Sequence, residues 1–151
     1  MTLDADRRDA LLRLLDALLD PARARVIVPP TEAADGFWFG GGDLVRDPDG
    51  TLWLTGRYRD AGDSRTGVAA GVRGRELALF RSDDDGASFT KVRAWAKADL
   101  ATTGHPVLSI EGSSLLRRSD GRWEAFVSTE RQRGYPAPYA AYQKPGTGVW
   151  S

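Results

Sequence analysis

The sequence predicts an all-β fold, a partial β-propeller that follows one amphipathic α-helix, and three observations point to it. Residues 51–59 alternate between two sets of side chains, which is the period of a β-strand with two different environments. An Asp-Pro-Asp-Gly turn at 47–50 precedes that strand and carries the residues that hairpin loops favour. The hairpin pattern recurs about seventy residues later, and repeated antiparallel hairpins are typical of propellers.

The first hairpin, residues 37–59, organises our interpretation of the whole chain. Its incoming strand begins at Asp43, directly after three glycines. Its outgoing strand has two faces, one with Trp53, Thr55, Arg57 and Arg59 and the other with Leu52, Leu54, Gly56 and Tyr58. The two faces therefore meet different surroundings.

Composition excludes several kinds of site and partner. The 151 residues, enough for one domain, carry 21 basic and 21 acidic side chains, so no net charge points to nucleic acid or an anionic membrane. No cysteine and a single histidine exclude a disulfide framework and a zinc site built from thiolates or several imidazoles. We therefore expect neither a metal nor another cofactor.

Residues 4–19 are predicted to form the helix, because leucines recur along them at spacings of three and four. Asp20-Pro21 ends it, since a residue before proline is disfavoured in helical geometry. We expect the leucines to pack against the body of the domain. Charged residues interrupt the segment too often for a signal peptide or a membrane span, so cytoplasmic residence is expected.

Between and beyond the hairpins, the pattern predicts further strands joined by polar connections. A lead-in strand is predicted at 25–28, a loop at 31–36, a long loop at 60–74, strands at 76–81 and 89–95, a connection at 99–106, and a second hairpin with strands at 107–118 and 122–129. In that hairpin, Asp120-Gly121 repeats the turn residues Asp49-Gly50.

These elements divide the chain at about residue 35. Residues 1–35 hold the helix and the lead-in strand, and residues 36–151 form the propeller portion, with a first blade over about 36–98 and the start of a next blade over about 107–151. A blade has four strands, so this is about one and a half blades, whereas a closed ring needs at least about four. We expect the N-terminal part of a larger propeller, in preference to a ring completed by other copies of the chain.

The segment Ser82–Phe89 carries the first resemblance to a known family. It matches the Asp box, the S-x-D-x-G-x-[ST]-[WF] turn of sialidase-type propellers, at every defined position. The resemblance implies a structural turn between the third and fourth strands of a blade, away from any active site. Residues 39–89 also resemble a sialidase first blade, but glycines at 40–42 replace the arginine that binds the sugar carboxylate, which argues against sialic acid as the substrate.

A second resemblance concerns two acidic residues. Propeller glycoside hydrolases of the arabinanase and xylosidase type carry an aspartate where the first blade's inner strand begins, and a Glu-Gly pair that opens the inner strand of a later blade. Asp43 resembles the first and Glu111-Gly112 the second. The resemblance implies that Glu111, after the apolar run 107–110, is the general acid and that Asp43 is the base. The structural alternative is that Asp43 caps a turn and Glu111 pairs with a surface arginine.

Five further residues are candidates for contact with a substrate. Arg57 and Arg59 would bind sugar hydroxyls or an anionic group, unless they are exposed edge arginines. Glu130 ends the second hairpin where the arginines end the first, and Trp38 offers a platform on which a sugar ring can stack. Arg65, with Asp63, would line the funnel from the long loop, although loop charges are usually only solvated. Asp99 is a candidate for a third acidic residue, and His105 is expected to be structural.

Three hypotheses about function follow. The first is an incomplete propeller glycoside hydrolase that cleaves a carbohydrate with the pair Asp43 and Glu111. The second is a non-catalytic Asp-box module that binds carbohydrate or protein, and the third is an inactive remnant. The sequence leaves open which sugar and linkage are involved, and whether the chain is an enzyme.

Overall fold

The computed structural model describes residues 4–60 and 73–151, so the predicted site residues Arg65 and Asp63 lie outside the described residues. The described chain is mostly β, with two antiparallel sheets preceded by an N-terminal helix. This confirms the all-β expectation at the level of fold class.

The first sheet is built around the first hairpin. Its elements are β1 (Trp38–Gly40), β2 (Leu44–Arg46), β3 (Leu52–Arg59), β4 (Glu76–Ser82) and β5 (Thr90–Ala96). Strands β1 and β2 both pair with β3, Trp38 opposite Arg59 and Arg46 opposite Leu52, with Asp43 at the break between them. Strand β4 pairs with β3, and β5 pairs with β4. When β1 and β2 are counted as one broken strand, four strands lie side by side in chain order, as predicted.

The second sheet contains the repeat of that hairpin. A short helix α2 (Lys97–Leu100) leads to β6 (Val107–Arg117), β7 (Trp123–Arg131) and β8 (Val149–Trp150), all antiparallel and paired in that order. The two hairpin turns are closed by the same type of backbone hydrogen bond. The N–H of Gly50 donates to the carbonyl of Asp47 at 2.9 Å, and the N–H of Gly121 donates to the carbonyl of Arg118 at 3.0 Å. Both glycines have positive φ, which explains why the repeat keeps them.

The turn over Ser82–Phe89 owes its geometry to one aspartate. Ser88 donates from its hydroxyl and its N–H to the Asp84 carboxylate, at 2.6 and 2.9 Å, and the Ser82 hydroxyl donates to it at 2.7 Å. These hydrogen bonds, those from Ser88 first, lower the pKa of Asp84 to about 2. The ring of Phe89 packs against the core of the first sheet, so this turn serves structure.

Two apolar clusters hold the chain together. One lies on the Leu54–Tyr58 face of β3 and contains Val28, Tyr58, Ala78 and Phe80, with Phe39 packed against it. The other joins the two sheets and contains Leu77, Val107 and Ile110. Trp53 and Trp123 also meet between the sheets, with ring centroids 5.8 Å apart.

The N-terminal helix differs from the expectation in its packing. It spans α1 (Ala5–Leu19), with the Asp4 side chain accepting from the N–H of Arg7 at its start. Its six leucines from Leu11 to Leu19 are 44% to 77% exposed, and none of its residues is buried among the described ones. The prediction that this stripe packs against the domain is therefore wrong for the described chain. No helix in the described ranges is long and apolar enough to cross a membrane.

The lead-in strand predicted at 25–28 is also wrong, because this segment has no strand partner. It is held instead by its side chains. Val28 enters the core of the first sheet, and the Arg25 guanidinium donates to the carbonyl of Gly86 at 2.7 Å. Val26 and Ile27 are exposed, so this apolar run does not form the strand that its pattern indicated.

Candidate functional site

The site predicted from the sequence lies where the loop between β1 and β2 meets the edge of β6. The N–H of Ser113 donates to the carbonyl of Gly41 at 3.1 Å, and the N–H of Ile110 donates to the carbonyl of Gly74 at 3.0 Å. The edge of β6 that does not pair with β7 is thus hydrogen-bonded to loops of the first sheet. This arrangement brings Asp43 and Glu111, far apart in sequence, to the same boundary.

Asp43 reaches across that boundary with its side chain. Its Oδ2 accepts from the Ser114 hydroxyl at 2.9 Å and from the N–H of Leu115 at 3.2 Å. These bonds, that of Ser114 first, lower the pKa of Asp43 below its usual value. An ionised carboxylate is what a base requires, but both bonds also join the sheets. Asp43 therefore helps to hold the two sheets together.

Glu111 lies against Arg57. Its Oε2 is 3.3 Å from Nη2 of Arg57, and the two side chains are only 14% and 15% exposed. The apolar run 107–110 predicted an apolar environment for this carboxylate. The structure places the Arg57 guanidinium beside it instead. The alternative in which Glu111 pairs with an arginine is the one that the geometry shows, although this arginine is largely buried.

Trp38 supports the same pair. The Arg57 guanidinium lies over the Trp38 ring, 4.8 Å from its centroid, which is cation–π distance. This face of the ring is therefore occupied by Arg57, where the sequence predicted a platform for a sugar ring. Trp38, Arg57 and Glu111 are thus linked by one cation–π contact and one ion pair.

The glycines before Asp43 allow other parts of the protein to pack closely against the loop between β1 and β2. A Cβ on Gly41 would lie 2.3 Å from Nη1 of Arg57, and one on Gly42 would lie 1.9 Å from the carbonyl oxygen of Thr55. The Arg57 side chain and the backbone of β3 occupy this space.

Arg59 is more buried than an edge arginine would be. It is 6% exposed, and its Nε and Nη2 have no hydrogen-bond partner among the described residues. Arg59 also lowers the pKa of Arg57, after the larger effect of burial, while Glu111 opposes both. The alternative of two exposed edge arginines is therefore wrong for Arg57 and Arg59.

Glu130 is the most enclosed of the predicted site residues, with 1% of its side chain exposed. Its Oε1 accepts from the N–H of Gly148 at 2.6 Å, and Nη2 of Arg73 lies 2.8 Å from Oε2 as an ion pair. In the described chain this carboxylate fixes the start of β8 and is not open to a substrate. The sequence predicted its place at the end of the second hairpin, as a contact for a substrate, but not these partners within the protein.

Lys97 is a cation that sequence reasoning missed. It donates from Nζ to the carbonyl of Leu108. Burial, followed by the charge of Arg73, lowers its pKa, and the carboxylates of Glu111, Asp60 and Glu130 oppose that shift. Ser114 and Arg73 were missed as well, because each acts through a contact between segments that no local pattern marks.

The two remaining candidates have local structural contacts. The carboxylate of Asp99 accepts from the N–H of Ala96 at 2.8 Å and so caps α2. The backbone N–H of His105 donates to the carbonyl of Thr102 at 2.9 Å, within the connection before β6. Within residues 4–60 and 73–151, no group of three or more acidic or histidine side chains is placed to hold a metal ion.

Asp43 and Glu111 come from different segments of this boundary. Asp43 contacts Ser114, three residues along β6 from Glu111. On β3, the Asp43 carbonyl accepts from the N–H of Thr55, two residues from Arg57.

Comparisons of this chain with protein-family models, with curated proteins and with solved structures find no match.

Proposed function

We propose that this chain is part of a glycoside-hydrolase-like β-propeller and that its inner strands form part of a carbohydrate site. In this proposal the two sheets are successive blades, β6 is the inner strand of the second, and Asp43 and Glu111 are the acidic groups that face the sugar. The Asp-box sequence at Ser82–Phe89 and the repeated hairpin turns support the architecture.

One observation carries the proposal: the Asp43 side chain bonds directly to β6, close to Glu111. Two residues chosen for their resemblance to a hydrolase pair thus occupy one boundary.

Hydrolysis of a panel of aryl glycosides by the full chain tests this function. We expect Asp43→Asn and Glu111→Gln each to lower kcat at least about a hundredfold, the usual contribution of acid–base catalysis. The matched control is Glu124→Gln, whose carboxylate pairs with Arg118 at the exposed turn of the second hairpin. Full activity in both site variants would show that the pair is misassigned.

The second candidate is a non-catalytic module that binds carbohydrate or protein. A specific observation favours it: both carboxylates are engaged as anions, Asp43 by hydrogen bonds from β6 and Glu111 by Arg57. Binding of glycans without cleavage of any glycoside in the panel, lost in Glu111→Gln, is the outcome that supports this candidate over the hydrolase. Absence of both cleavage and binding supports the inactive remnant.

A further inference from the structure

The leucine face of α1 has no packing partner among the described residues. Its six leucines are 44% to 77% exposed, and they follow one another at helical spacing. They therefore form one continuous apolar patch, which is the kind of surface that marks an interaction site. A helix of 15 residues is marginal in water unless its apolar face is packed, so this face calls for a partner.

Two arginines continue the leucine face toward the start of α1. Arg8 and Arg7 precede Leu11 by three and four residues, which places them on the same side of the helix. At the other end, the last turn carries no basic residue, although its carbonyl groups bear partial negative charge. The face thus begins with two cations and ends at a negative terminus that has no cation.

We propose that α1 docks against α1 of a second copy of this chain, in antiparallel orientation. In that arrangement Leu15 lies at the two-fold axis and Leu11 of each copy faces Leu19 of the other. The arginines of each copy then meet the negative helix end of the other. A parallel pair would bring the arginines of both copies together, which is unfavourable. The same patch therefore supplies both halves of a two-fold interface.

The charge of the helical segment favours a protein partner over a membrane surface. Residues 4–20 carry five aspartates and three arginines. Helices that lie on membranes are rich in Lys and Arg, because the lipid surface is anionic. An excess of aspartate is repelled by such a surface, whereas a second copy offers leucines and complementary charges.

Sedimentation equilibrium of the full chain over a range of concentrations tests the proposal. We expect a monomer–dimer equilibrium. Leu15→Gln should weaken it at least about tenfold, because each dimer loses two apolar side chains from its centre. The matched control is Leu116→Gln, since Leu116 is 49% exposed and Leu15 is 48% exposed, and it should leave dimerisation unchanged. A monomer at every concentration, or equal weakening in the two variants, would overturn the proposal.

Arg8→Glu tests the electrostatic part of the interface. It should weaken the dimer about tenfold, because each copy would place a carboxylate against the negative helix end of the other. Glutamate near the start of a helix stabilises that helix, so the weakening does not report a loss of α1. Arg13→Glu, on the side of the helix opposite the leucines, should have little effect. An effect of Arg13→Glu as large as that of Arg8→Glu counts against the proposal.

Disulfide cross-linking tests the orientation, because the sequence contains no cysteine of its own. A mixture of Leu11→Cys and Leu19→Cys should form the mixed disulfide. Each variant alone should not cross-link, since the same position in the two copies lies about 12 Å apart along the helix axis. A disulfide spans Cα atoms up to roughly 7 Å apart. Efficient cross-linking within each single variant would overturn the antiparallel arrangement.

Two further measurements separate dimerisation from folding and from lipid binding. Urea unfolding of the diluted, monomeric chain should be nearly the same in Leu15→Gln and in the wild type, because this face is exposed in the single chain. A clear loss of stability in the diluted variant would show that the face packs within its own chain, and would overturn the proposal. A monomer that binds phosphatidylserine vesicles through these leucines would overturn it in favour of a membrane surface.

Discussion

Ser114 bonds to Asp43 across 71 positions of sequence, and this single contact shows how the site is built at the residue scale. The serine is the first cause of the lowered pKa of Asp43, ahead of the N–H of Leu115. No pattern around residue 114 marks it, since a serine in a strand is common. Its role exists only because the two sheets meet there.

Ser114→Ala should raise the pKa of Asp43 toward the ordinary aspartate value of about 3.9, but only part of the way, because the N–H of Leu115 remains as a donor. A lowered pKa in the folded chain stabilises it above pH 4, and that contribution is lost as pH falls through the folded value. The variant should therefore lose less stability between about pH 4 and more acidic values.

Carboxyl NMR of Asp43, together with denaturant unfolding at several pH values, measures both effects of Ser114→Ala. Ser128→Ala, in the neighbouring strand β7, is the control and should change neither. A pKa of Asp43 that does not rise in Ser114→Ala would show that the hydroxyl is not its partner in solution.

At the scale of single elements, the broken strand formed by β1 and β2 is the part that the sequence described least well. The incoming strand was expected to start at Asp43, but β1 already pairs with β3 from Trp38 onward. The Gly41–Asp43 break lies between the two pieces and lets the chain contact β6. The three glycines indicated that some group packs closely against this loop, but they did not indicate which group.

Gly42→Ala should cost about 1–3 kcal/mol of stability, because its Cβ would overlap the backbone of Thr55, which has little freedom to move. Gly112→Ala is the matched control, since a Cβ there would be 3.5 Å from the nearest atom, an ordinary contact. The free energies of unfolding in urea provide the comparison. Equal losses in the two variants would contradict the close packing of the loop on β3.

At the scale of the whole molecule, stability rests on the contact between the sheets, and the helix contributes little among the described residues. Ile110 is fully buried in the cluster that joins the sheets, whereas Leu18 is 71% exposed. Ile110→Ala should therefore lower the free energy of unfolding by about 2–5 kcal/mol. Leu18→Ala should stay within about 0.5 kcal/mol of the wild type. A loss in Leu18→Ala as large as in Ile110→Ala would mean that α1 packs in solution.

The sequence by itself determined the local features of this protein. Alternation over residues 51–59, the Asp-Gly turns and the leucine spacing predicted β3, both hairpins and the helix, because a strand's faces, a turn's dihedral angles and a helix's stripe depend on neighbouring residues. It also selected Asp43 and Glu111, which the structure places at one boundary.

Only the tertiary structure decided the partners. Arg57 beside Glu111, Ser114 on Asp43 and Arg73 on the buried Glu130 each join segments that are distant in sequence. Glu111, the expected acid, lies beside the Arg57 guanidinium, and Trp38, the expected sugar platform, contacts the same guanidinium. The physical reason is that the charge state of a side chain depends on what packs within a few ångströms of it, and local sequence patterns do not specify those neighbours.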